Sequence, residues 1–124
     1  MAPTITQVAQ ISGAVPNDII YQNSAYAPGA ATANIDIPLP ETLNPGSLYI
    51  ISIENTSPSN NFTVVVQNKE TFGTAKYPEL TRFIVPASIA KSVLVQGWFI
   101  GEAGRLALSS DYGNITASIR VRKA

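Results

Sequence analysis

The chain has no histidine and no cysteine among its 124 residues. Their absence excludes structural zinc sites of the usual kind, haem ligation by histidine, Cys-His nucleophiles and the Ser-His-Asp arrangement. It also excludes disulfides, so cysteine usage gives no hint of redox compartment. Charge is scarce as well, at 13% of residues, about half the average share. Lysine and arginine are missing from residues 1–68 altogether, the first being Lys69. No apolar run approaches the roughly 20 residues of a membrane helix, and no membrane partner is expected. The opening MAPTITQVAQISGAVP lacks the basic n-region and continuous apolar core of a secretory signal, so none is expected there.

What remains is a chain 45% apolar, rich enough to fold as one domain where a disordered chain would be poor in such residues. Its net charge of zero conceals two unlike parts. Residues 1–68 carry Asp18, Asp36, Glu41 and Glu54, for −4; residues 69–124 carry eight Lys/Arg against Glu70, Glu79, Glu102 and Asp111, for +4. The basic residues are scattered and fall short of a nucleic-acid stripe, so no nucleic-acid partner is expected. Either the two parts share one fold and neutralise each other, or complementary charge docks neighbouring copies.

From residue 47 onward the chain reads as strands. SLYIISIE (47–54), NFTVVVQN (61–68), LTRFIVP (80–86), KSVLVQGWFIG (91–101), RLALSS (105–110) and NITASIRVRK (114–123) are rich in β-branched and aromatic residues, with turn clusters between them. Both faces of YIISI and FTVVV are apolar, which predicts central strands. The final strand alternates Ile115, Ala117, Ile119 and Val121 with Thr116, Ser118, Arg120 and Arg122, which predicts a half-solvated position. The expected fold is therefore all-β: an antiparallel β-sandwich or jelly-roll-like barrel.

Residues 1–46 differ, with six of the nine prolines and no Phe, Trp, Lys or Arg. They are expected as an extended N-terminal arm with short edge strands at 5–11, 18–22 and 33–39, and residues 47–124 as the sandwich core. Pro38 and Pro40 cannot donate ladder hydrogen bonds, which favours an edge or an arm. Fully extended, residues 23–46 would span roughly 80 Å against a domain diameter near 35 Å. Such a segment either wraps its own domain or reaches a neighbour.

No pattern carries catalysis, and neither an enzyme activity nor a cofactor is expected. Ser88-Ile-Ala-Lys91 has the Ser-x-x-Lys spacing, but it follows Pro86 and runs directly into a strand instead of a helix. GWFIGEAGR (97–105) lacks the Lys-Ser/Thr end of a phosphate loop, and reads as a tight hairpin turn between Gly101 and Gly104. DYGN (111–114) likewise reads as a hairpin turn, and the carboxylates show no acid–base pairing. Trp98, the only tryptophan, suits either a core or an interface anchor. Tyr21 and Tyr26 join it as interface candidates on the same ground. Asp36, Arg120 and Arg122 are candidates on the charge argument, with acidic groups of residues 1–68 meeting basic groups of 69–124 across subunit contacts.

The stretch YPELTRFIVPASIAKSVLVQGWFIGEAGRLALSS, followed by GNITASIRVRK, covers residues 77–123. It resembles the C-terminal half of small β-rich virion proteins encoded next to tailed-phage major capsid genes. The shared run is strand, VP, polar linker, strand, GxFIG, R-L-x-L-S and a last strand ending R-V-R. The resemblance implies a bacteriophage capsid decoration (cementing) protein: a homo-oligomer, often a trimer, that binds the major capsid protein in the virion. The alternatives are an extracellular filament subunit assembled by strand addition and a carbohydrate-binding β-sandwich.

Overall fold

The computed structural model describes residues 19–37, 48–98 and 103–124. The expected strand at 5–11, the prolines after Ile37 and the tip of the 97–105 stretch lie outside these residues. Nine strands form in the order β1 Ile19–Tyr26, β2 Thr32–Ile37, β3 Leu48–Asn55, β4 Phe62–Phe72, β5 Thr74–Lys76, β6 Glu79–Val85, β7 Ala90–Gln96, β8 Ala103–Ser110 and β9 Ala117–Lys123. One sheet runs β1-β9-β3-β7; the other runs β2-β8-β4, with β5 and β6 pairing successive parts of the same β4 edge. The all-β expectation holds, and every pairing is antiparallel.

The winding follows from the pairings. With β5 and β6 counted as one strand interrupted at Tyr77 and Pro78, the first strand pairs the last, β2 pairs β8, β3 pairs β7, and β4 pairs β5 and β6. This is one long folded hairpin, rolled up until β3 also meets β9 and β4 also meets β8. It is the jelly-roll form of a two-sheet sandwich. Pro78 lacks an N–H and so suits the break; its carbonyl accepts from the Asn68 backbone N–H at 3.0 Å.

Alternation sets the core. Tyr49, Ile51 and Ile53 of β3, Phe62, Val64 and Val66 of β4, Leu106 and Leu108 of β8, and Ala117, Ile119 and Val121 of β9 point inward and are buried. β3 and β4 are central, as their apolar faces predict, and β9 lies between β1 and β3 with one face in the core and one in solvent. β1 and β2 form the opposite-sheet edges on one side of the sandwich, and β2 contributes the buried Ile35 and Ile37. Over residues 19–37 the chain therefore wraps its own domain. β1 also runs further than expected, to Tyr26, leaving 27–31 as the connection.

Two expected hairpins do not form. β7 ends at Gln96, where Gly97 takes φ +79°, and the chain leaves for the other sheet. Gly104 is not a turn residue; it lies inside β8, paired with Ile37 and Asn68. The 111–114 stretch likewise carries the chain from β8 to β9 in the opposite sheet. Turn residues mark a reversal of direction, but not whether the next strand pairs with the last or crosses the sandwich.

Candidate functional interface

Arg120 and Arg122 stand on the outer face of β9, in the middle of the β1-β9-β3-β7 sheet. Arg120 is in register with Gln22 on one side and Ser52 on the other; Arg122 is flanked by Ile19 and Ile50. Arg120 is exposed and Arg122 half-buried. Among the described residues neither forms an ion pair, the two pairs present being Arg82–Glu79 and Arg105–Asp36. Beside Arg120 the face dips into a shallow depression of about 200 Å³, bordered by Ser52, Ser92, Ser118, Glu54 and Lys91. Ser52 and Ser92 bridge β3 and β7 through their hydroxyls at 2.9 Å. The arrangement can attract an acidic surface; it contains no nucleophile held against a base.

The other candidates separate. Tyr21 and Tyr26 both sit on β1, half-buried and packed against the core margin. Burial, and secondarily the neighbouring Tyr21, pushes the Tyr26 phenol above its ordinary range. Asp36 lies on the other sheet, where its Oδ1 accepts from Arg105 Nε at 3.2 Å. Arg105 also lies over the Tyr77 ring, 3.6 Å from its centre. The acidic and basic parts of the sequence thus meet within one chain at this point. The pair is partly solvated and contributes at most about 1 kcal/mol.

Trp98 is not an accessible interface anchor. It is wholly buried, its Nε1–H donates to the Gln67 carbonyl at 2.8 Å, and its ring meets Tyr49 edge-on at 6.1 Å. The ring is packed into the core just after β7 ends, where its large apolar area is removed from solvent.

Sequence reasoning missed the exposed apolar residues of β6 and β7. Their period-2 patterns signal strand faces, but whether a face is covered depends on which sheet edge the strand occupies. Ser88 lies in the turn before β7, at φ +63°, and Lys91 in β7 itself, so the two are not on a helix. Asn55, which begins an N-x-[ST] triplet, is buried and unavailable for modification, whereas Asn61 and Asn114 are exposed. No metal-ligating cluster of three acidic side chains forms among the described residues. Among known proteins, no family matches the chain and no curated protein shows significant similarity to it.

Proposed function

We propose that the chain is a structural virion protein, a decoration subunit that docks on the assembled capsid shell through its sheet surfaces and acts without transforming a substrate. The observation that carries the reading is the outer face of β9, where Arg120 and Arg122 project from a four-stranded sheet without an ion-pair partner among the described residues. Two further features support it: the resemblance of residues 77–123 to phage decoration proteins, and a jelly-roll frame of two antiparallel sheets that presents an outer sheet face on each side. Many copies on a repetitive shell turn weak single contacts into firm attachment by avidity. The resemblance adds a trimeric state and a grip by the N-terminal residues.

The test is direct. Purified chain mixed with heads that lack it should sediment with them. Reversing both charges (R120E/R122E) should lower the bound amount by about tenfold at fixed concentration, and raising salt should release the unaltered chain. Undiminished binding by the double variant would refute the role of this face. No binding by the unaltered chain would refute the capsid reading.

A further inference from the structure

The four arginines of the chain divide between the two sheets. Arg82 on β6 and Arg105 on β8 are engaged by Glu79 and Asp36. Arg120 and Arg122 on β9 have no ion-pair partner among the described residues. Register fixes their neighbours on the outer face of the β1-β9-β3-β7 sheet. Ile19, Arg122, Ile50 and Leu94 make one row across all four strands, and Gln22, Arg120, Ser52 and Ser92 make the next. The two rows stand two residues apart along β9, about 7 Å.

The first row is apolar apart from its guanidinium. Leu94 is 60% exposed, and Ile19 and Ile50 are half-buried. Leu48, two residues before Ile50 on β3, faces the same way and is 36% exposed. Side chains opposite one another on neighbouring strands are about 5 Å apart, so Leu94, Ile50 and Leu48 form one apolar corner with Arg122 against it. Among the described strands of this sheet, Glu54 is the only acidic residue on the outer face. It lies four residues along β3 from Ile50, about 13 Å away, in register with Ala90 and Ser118.

We infer that this corner receives an acidic segment of another protein, one that carries an aliphatic side chain beside a carboxylate. The aliphatic group seats on Leu94, Ile50 and Leu48, and the carboxylate meets Arg122 or Arg120. The inference rests on the docking role proposed for this face and adds what the partner must offer. Charge selects an acidic partner, because both guanidiniums are open to a charge-assisted, bidentate contact with a carboxylate. The apolar row selects a protein segment over a phosphate chain, since phosphates would engage the arginines and leave Leu94 in water. A second copy fits less well, because Glu54, the one carboxylate this face offers, stands away from the apolar corner. An apolar centre with arginine beside it and a polar rim is the usual anatomy of a protein contact. Gln22, Ser52 and Ser92 supply that rim here.

The probe is the synthetic peptide Gly-Gly-Glu-Leu-Glu-Glu-Leu-Glu-Gly-Gly, titrated into the isotope-labelled full chain. Backbone amide resonances should move at Ile50, Leu94 and Arg122 and stay still at Ala107 and Ile84 on the opposite sheet. Replacing the leucines of the peptide by serine, or its glutamates by lysine, should weaken binding by about tenfold. Leu94→Ser should weaken it by a similar factor with an unchanged thermal melt, whereas Ile84→Ser should leave it intact. No binding, shifts centred elsewhere, or equal binding of the serine or lysine peptide would overturn the inference. Self-association of the chain that Leu94→Ser abolishes would make a second copy the occupant and overturn it as well. Heads that lack the chain separate this inference from the capsid reading. Peptide binding without head binding refutes the capsid reading alone; head binding without peptide binding refutes the inference alone.

Discussion

Asn55 sits where its own loop meets the end of β6 and the connection into β7. Its side-chain amide donates to the carbonyls of Asn60 at 2.6 Å and Val85 at 3.0 Å, its Oδ1 accepts from the Ser57 N–H at 2.9 Å, and its own N–H donates to the Ile89 carbonyl. Ser57, also buried, continues the network: its Oγ accepts from the N–H groups of Ser59 and Asn60. These bonds tie the 55–61 loop to the connection between β6 and β7. A buried amide with donors and acceptor all used contributes far more by being present than its net hydrogen-bond value suggests, because removing it orphans its partners. Asn55→Asp is nearly isosteric, yet it turns both donors toward carbonyls into acceptors and buries a charge. It should cost about 3 kcal/mol or more, read as a lower urea midpoint with unchanged slope. The sequence shows this stretch only as NTSPSNN, a polar turn cluster. That Asn55 is buried depends on carbonyls brought from residues 60, 85 and 89, and no local pattern encodes them.

At the scale of elements, β1 is the strand whose attachment depends on conditions. Among the described strands it pairs only with β9, with two breaks in register, and Tyr21 and Tyr26 pack against the core margin. Burial raises the Tyr26 phenol above its ordinary value, so the folded state keeps the proton longer than the unfolded chain does. The resulting stability is intact below the unfolded tyrosine value of about 10 and is lost as pH rises through the folded one. The thermal midpoint should therefore fall as the solution is taken above about pH 10. Tyr26→Phe should reduce that fall without abolishing it, because burial also raises Tyr49. A fall of the same size in the variant would show that Tyr26 is not a source of the alkaline sensitivity. Elements were also the scale at which the sequence was most legible. β3 and β4 were readable as central because both their faces are apolar, and β9 as half-solvated because its arginines alternate with Ile119 and Val121. The destination of each turn was not readable: GEAG and SDYGN contain hairpin residues, but β8 pairs with neither β7 before it nor β9 after it, both of which belong to the other sheet.

For the whole molecule, the winding makes the last strand a condition for the first. β9 is flanked by β1 and β3, and its Ala117, Ile119 and Val121 lie in the one core that both sheets share. Nearly the full described length must therefore be in place before β1 has a partner, which makes the fold one of high contact order and slow formation, in milliseconds to seconds or longer. The β4–β5 ribbon stands in the opposite relation to the core. Its residues Glu70 and Thr71, and 73–76 beyond them, are exposed, and β5 pairs with β4 alone among the described strands. Truncation after Asn114 should then leave a chain with no cooperative melt, because it strips β9 from the middle of a sheet and exposes both neighbours. Replacing residues 70–76 with a two-residue Asn-Gly turn should preserve the melt to within about 1 kcal/mol, since Glu70, Thr71 and residues 73–76 are exposed. Trp98 fluorescence and far-UV circular dichroism should report coincident transitions in both the full chain and the shortened ribbon. Separate transitions would mean that the two sheets do not share a single cooperative core, and that the rolled hairpin is held together more locally than its pairing order requires.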